Sequence, residues 1–134
     1  MEQDQKTILV IDDNADYLFT METFLRRNGF QVLTAADGQK ALELAEEHAP
    51  DLILLDVMME SLYSGFEICR RLRNDAALAE IPIIGISGMQ DELGVQIDLQ
   101  RDADYFSPDR FFDKPVDKSE LLQTINELLG QNTD

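Results

Sequence analysis

The chain contains one cysteine, one histidine and no tryptophan, and only 11 lysine and arginine residues against 27 aspartate and glutamate. A lone Cys69 excludes an internal disulfide framework and any cysteine-cluster zinc site. A lone His48 excludes a multi-histidine metal centre and makes a Ser/His/Asp triad a poor fit. The formal charge of -16 leaves no basic face for duplex nucleic acid or an anionic membrane, but it suits a divalent cation or a basic protein surface. No apolar run approaches the length of a membrane span, and the opening MEQDQK lacks the basic-then-apolar layout of a signal peptide. A reducing, cytoplasmic setting is the resulting expectation. What is present is globular in character: 134 residues, 44% hydrophobic and 28% charged, with seven glycines and four prolines. That length suits one domain, expected over residues 6–130 between frayed ends at 1–5 and 131–134.

Apolar runs alternate with amphipathic stretches. Thr7 to Ile11 is a continuous apolar run of the kind that forms a strand buried on both faces of a parallel sheet, and it stops abruptly at Asp12-Asp13-Asn14. Leu18, Met21, Phe24 and Leu25 follow at helical spacing, ended by Asn28-Gly29. Phe30 to Ala35 predicts a second strand, and Ala41, Leu42 and Ala45 a helix opened near Asp37-Gly38 and ended by Pro50. Leu52 to Leu55 is a third strand with Asp56 at its carboxyl end; Phe66, Cys69 and Leu72 mark a third helix. Ile81 to Ile86 predicts a fourth strand, with Pro82 tolerable near its start and Ser87-Gly88 after it. Over 90–103 a helix competes with the period-two pattern of Val95, Ile97 and Leu99 and with Gly94. Arg110 to Asp113 predicts a short fifth strand closed by Lys114-Pro115, and Asp117-x-x-Glu120 a capping box opening a final helix through Leu121, Leu122, Ile125, Leu128 and Leu129.

Five strands alternating with five helices predict an α/β fold, a doubly wound parallel sheet covered on both faces. Sites in such sheets lie outside the carboxyl ends of the strands. Asp12 and Asp13, Asp56, Ser87 and Lys114 all fall at that edge. Taken singly, each has a plain alternative: Asp12 or Asp13 a helix cap, Ser87 a turn residue, Lys114 a solvated charge. Asp56 is harder to explain that way, since an unpaired carboxylate after four apolar residues in the middle of a sheet is costly. Converging carboxylates repel one another, and a divalent cation removes that cost; all-oxygen ligation suits Mg²⁺. A carboxylate nucleophile, a hydroxyl donor and an ammonium beside such a cation suit phosphoryl transfer through an aspartyl phosphate on Asp56. There is no glycine-rich phosphate loop with a lysine, which excludes nucleotide hydrolysis of the P-loop kind.

In order along the chain, ILVIDDN, LILLDVMM, GISG and FFDKP resemble the motifs of the receiver domain of two-component response regulators, and the resemblance covers nearly the whole length. It implies a flavodoxin-like fold with strand order 2-1-3-4-5. It implies that Asp56 is the phosphoacceptor, charged by a sensor histidine kinase or a histidine phosphotransfer protein. Asp13, Asp56 and the backbone carbonyl of Met58 are then Mg²⁺ ligands, with Asp12 acting mainly through water. Lys114 and Ser87 face the phosphoryl group, Ser87 and Phe111 form the switch, and Lys114-Pro115 is expected to be cis. Phe111 also reads as simple core packing, with Phe112 beside it. Output is expected through the face of the fourth helix, fifth strand and fifth helix, to a downstream protein target or an output domain, and a phosphorylation-dependent homodimer through that face stays open. The chain stops after the fifth helix, so either a stand-alone regulator or the N-terminal module of a longer protein is compatible with it.

Two other functional classes fit the residues less well. A metal-dependent phosphatase working through an aspartyl phosphate generally needs a second aspartate where Met58 stands, and a receiver-like module that takes no phosphate fits the loss of a site residue, of which none is lost. Flavin binding lacks a phosphate loop after the first strand. The sequence departs from the family pattern at Glu60, where proline is usual after Met59, and in the position of Ser64-Gly65, which leaves the loop Glu60–Ser64 distinctive. The stretch from Ser87 to Lys114 is longer than usual, with the extra length placed at Tyr105–Asp109, where Ser107-Pro108-Asp109 reads as a turn; it is either a modified partner surface or an exposed insertion. Met58 and Met89 stand two residues beyond Asp56 and Ser87; the resemblance implies that these positions flank the route of hydrolytic water, so two apolar side chains there are expected to shield the acyl phosphate. The expected outcome is a phosphorylated state that outlasts seconds without any phosphatase, checked by following its decay after removal of the phosphodonor.

Overall fold

The computed structural model describes residues 5–56, 64–87, 109–113 and 116–130. They contain five strands, β1 (Thr7–Ile11), β2 (Gln31–Ala35), β3 (Leu52–Asp56), β4 (Ile83–Ser87) and β5 (Arg110–Asp113). The described residues also contain four helices, α1 (Ala15–Arg27), α2 (Gly38–His48), α3 (Ser64–Asn74) and α4 (Lys118–Leu129), the last being the fifth helix expected from the sequence. The helix expected over 90–103 lies outside the described residues. All strand pairs are parallel, in the order β2-β1-β3-β4-β5.

The uniformly apolar strands are explained by the layers on either side of the sheet. Successive side chains of a strand point to opposite faces, and the core divides accordingly. Leu9, Ile11, Ile53, Leu55 and Ile83 pack with Ala41 and Ala45 of α2 and Ile68, Cys69 and Leu72 of α3. Ile8, Val10, Leu52, Leu54, Ile84 and Ile86 pack with Met21 and Leu25 of α1 and Leu121 and Ile125 of α4. Every residue of β3 is buried, as befits the central strand of a parallel sheet covered on both faces. The approach of α2 to α3 is close: a Cβ on Gly38 would meet the Ile68 side chain at 3.1 Å.

Helix ends follow local chemistry. Asn14, Asp37 and Asp117 cap α1, α2 and α4, each side chain accepting from the backbone three residues on. The cap of α1 therefore belongs to Asn14, and not to either preceding aspartate. Gly29 (φ 92°) and Gly130 (φ 71°) take the left-handed conformation after α1 and α4. Ala49 takes it after α2 (φ 46°) at some cost to a residue with a Cβ, where Pro50 then prevents further helix.

Two strands start later than the sequence suggests. Phe30 stays outside β2 because its amide donates to Leu25 O in the turn that closes α1 (3.2 Å). The start of β4 shifts from Ile81 to Ile83 because Ile81 is used in a turn: its amide donates to Leu78 O (3.1 Å) and its carbonyl accepts from the Arg73 guanidinium (3.0 Å). Arg73 also donates to Ala79 O (3.1 Å) and to Asp109 Oδ2 (2.9 Å), and that same oxygen accepts the first amide of β4, from Ile83 (2.8 Å). One guanidinium thus ties the end of α3 to the feet of β4 and β5. Arg73→Met keeps the apolar stem and removes these bonds; it is expected to lower stability by about 1–3 kcal/mol, read as a lower urea midpoint at unchanged slope.

Candidate functional site

The sheet register determines which polar residues meet. Ile11 of β1 lies opposite Leu55 of β3, so the next residues along, Asp12 and Asp56, arrive side by side at the carboxyl edge. Both are buried, 1% and 5% exposed, and they are the buried charged residues among those described. Asp12 is held at both ends: its amide donates to Ala35 O of β2 (3.1 Å), and its Oδ1 accepts the amide of Asn14 (2.9 Å). Asp13 is exposed and completes the group. One carboxylate oxygen from each of Asp12, Asp13 and Asp56 lies within 4.8 Å of the others.

Three negative charges at that spacing repel by on the order of a few kcal/mol per pair at the effective dielectric of a protein surface. A polyvalent cation converts the repulsion into attraction. The donors are all hard oxygens, partly buried and open on the Asp13 side, which fits Mg²⁺ with retained waters better than a softer metal. The donor set therefore passes the test of chemistry for that ion.

Of the remaining residues singled out in the sequence, Ser87 is the last residue of β4, one beyond Ile86, which pairs with Asp56. It stands opposite Asp113 of β5, and Phe111 pairs with Gly85 in the same ladder. The backbone thus carries Ser87 to the carboxyl edge on the strand next to Asp56. Lys114, Met58, Met89 and the loop at Glu60 lie outside the described residues. His48 is half-exposed beside Glu47 (3.5 Å), and Cys69 is fully buried in the core.

Two residues of the site went unnoticed in the sequence. Asn14 joins the acidic cluster to α1: its amide holds Asp12, and its side chain caps the helix by accepting from the Tyr17 amide (3.0 Å). Tyr17, one turn into α1, packs its ring against the Ile8–Val10 side of the core and buries its hydroxyl. Burial, and then the nearby negative charge of Asp12 and Asp56, push this phenol up from its usual 10.0 to about 12. Only its polar tip set Tyr17 apart from the other apolar positions of the helix.

Compared with known proteins, residues 8–126 match the response regulator receiver domain. Protein PilH of Pseudomonas aeruginosa is 34% identical over 124 residues, covering 92% of this chain and 97% of PilH. The alkaline phosphatase synthesis transcriptional regulatory protein PhoP of Bacillus subtilis is 36% identical over 127 residues, 95% of this chain but 50% of PhoP; the chain spans about half the length of several of the curated relatives it matches. Among solved structures, the receiver domain of sensor histidine kinase PA1611 from Pseudomonas aeruginosa, with a magnesium ion coordinated in its active-site cleft, is 25% identical with a TM-score of 0.78, covering 96% of this chain and 100% of that one. Chemotaxis response regulator CheY4 of Vibrio cholerae shares the fold at a TM-score of 0.78 and 24% identity, covering 93% of this chain and 99% of that one.

The environment of Tyr17 has a measurable consequence at high pH. Its proton is bound more tightly in the folded chain than in the unfolded one, so folding stability falls as pH rises from about 10 through about 12. Tyr17→Phe is expected to flatten that part of the curve relative to wild type, checked by urea unfolding at pH 9 and 11.

Proposed function

Because the chain belongs to the response regulator receiver domain family, a family of signalling phosphoacceptors rather than enzymes acting on external substrates, we propose that Asp56 is its phosphoacceptor. The observation that carries this is the burial of Asp56 at the carboxyl end of the central strand, beside Asp12 and Asp13. A carboxylate kept there is costly unless it serves chemistry with a cation. The magnesium in the PA1611 receiver supports the same ion here, held by Asp13, Asp56 and the Met58 carbonyl, with Asp12 acting through water. When bound, the ion neutralises charge that accumulates on the phosphoryl oxygens.

In the transfer, an Asp56 oxygen attacks phosphorus, the phosphorus–nitrogen bond of a phosphohistidine breaks, and the donor's imidazole leaves with the electron pair. Asp12 and Asp13 hold the negative counterweight in place, Ser87 donates to a phosphoryl oxygen, and the Lys114 ammonium pairs with another. A histidine kinase is the partner that membership of the family implies, and a histidine phosphotransfer protein serves the same chemistry. The response passes through Ser87 and Phe111 to the side of the sheet that carries β5 and α4, where a downstream protein, an attached output domain or a second copy of the chain docks. The acidic charge disfavours direct contact with nucleic acid or an anionic membrane. Among the described residues no helix is long and apolar enough to cross a membrane, and the cytoplasm is the compartment that suits this partner chemistry.

Incubation of the wild type with acetyl phosphate and Mg²⁺ is expected to add one phosphoryl mass by intact-protein mass spectrometry. The gain should vanish without Mg²⁺ and in Asp56→Asn. A folded wild type that gains nothing would instead support a phosphate-independent interaction module.

A further inference from the structure

The sheet ends at β2 on one side and at β5 on the other, and an edge strand offers its outward backbone groups to any chain that can pair with them. The bonds to β1 fix which groups of β2 those are. The Gln31 amide donates to Lys6 O (2.9 Å) and Ala35 O accepts the Asp12 amide (3.1 Å), so Gln31 and Ala35 face β1. Backbone groups alternate sides along a strand, and Val32 and Thr34 therefore point theirs away from the sheet. The strand has nothing of its own to deter pairing: Gln-Val-Leu-Thr-Ala contains no proline and no charge, whereas β5 opens on Arg110 and closes on Asp113. Among the described residues the deterrent at β2 comes from α1. Arg26, in its last turn, donates from Nη2 to Val32 O (3.1 Å), and its Nε donates to Glu22 Oε2 one turn back (2.9 Å). The rigid fork of the guanidinium spans both acceptors, so the helix beside β2 lays a charge across its open edge.

We propose that Arg26 guards the free edge of β2 against pairing with a second copy of this chain. The pairing it opposes is antiparallel, β2 against β2 about a two-fold axis, the commonest symmetry of a self-complementary contact. To form it, each copy has to withdraw its guanidinium from Val32 O, and the two Arg26 side chains, of like charge, then meet at one seam. The guard leaves β5 as the edge at which the sheet is open to partners. The role is independent of phosphate and cation chemistry, since Arg26 touches none of the acidic cluster.

Arg26→Met keeps the apolar stem and removes the fork. Sedimentation equilibrium is run without phosphodonor or Mg²⁺, which keeps association at the β5 side out of the measurement, and with enough salt to screen the net charge of -16. The self-association constant of the folded variant is expected to rise about tenfold or more over wild type, as one charged hydrogen bond is released on each copy. Hydrogen exchange locates the contact: the Val32 and Thr34 amides of Arg26→Met should slow on going from dilute to concentrated solution. Adding Thr34→Pro, which removes an outward donor and leaves the bonds to β1 intact, should return the variant to a monomer. A folded Arg26→Met that stays monomeric, however destabilised, overturns the proposal and reduces Arg26 to a structural tie. Association that leaves the Val32 and Thr34 amides unprotected overturns it as well, as does a wild type that already pairs through β2.

Discussion

Parallel pairing of β1 with β3 brings two aspartates to adjacent positions at the end of the most deeply buried part of the sheet, and most other features of the molecule follow from holding them there. Ile11 faces Leu55 across the ladder, so Asp12 and Asp56 are neighbours whether or not their charges favour it. Their burial opposes folding unless something meets the charge. The Asn14 amide at Asp12 Oδ1 meets part of it, and the geometry of the three carboxylates is that of a site for a hard divalent cation. The backbone supplies rigidity: Asp12 is pinned to Ala35 of β2, and Asp56 is itself a member of the β3 ladder.

The apolar half of the molecule provides the energy for this arrangement. Five short strands with both faces covered bury Ile8 to Ile11 and Leu52 to Leu55 almost completely, at roughly 1.5–3 kcal/mol for each large side chain removed from water. The split between the two faces also links distant elements. The cluster shared by α1 and α4 contains Tyr17 next to the acidic edge and has Phe112 of β5 and Val116 packed on it. One packed layer therefore runs from Tyr17 in the first turn of α1 to Phe112 of β5 and Val116.

Aspartates at the two edges of the sheet illustrate how position decides role. Asp51 accepts the first amide of β1, from Thr7 (2.8 Å), and Asp109 accepts the first amide of β4, from Ile83 (2.8 Å). These carboxylates at the amino edge satisfy strand ends that would otherwise lack a partner, and Asp109 adds the ion pair to Arg73. The aspartates at the carboxyl edge crowd one another instead. Of the expected turn Ser107-Pro108-Asp109 only Asp109 lies within the described residues, and it joins the sheet: its amide bonds Ile83 O (2.7 Å) as its side chain bonds the Ile83 amide. The Arg73 bonds that delay the start of β4 join residues up to 36 apart, and no local pattern announces them.

The sequence by itself determined the alternation of strands and helices, the bounds of β1 and β5 and those of β3 to within one residue, the caps at Asp37 and Asp117 and the aspartates of the acidic cluster. These rest on short-range physics: apolar runs that cannot be exposed, side chains that cap within three residues, and carboxylates too costly to bury without purpose. The ordered motifs added the family, and with it the strand order, which no local signal contains. Only the tertiary structure decided that Asn14 rather than an aspartate caps α1, that β4 begins beyond Pro82, and that Tyr17 packs against the core while Phe19, two residues on, is 69% exposed. Each of these depends on which surface a helix turns toward the sheet and on bonds between segments distant in the chain. Such relations come into being only when strands pair in register and the helices pack down on them.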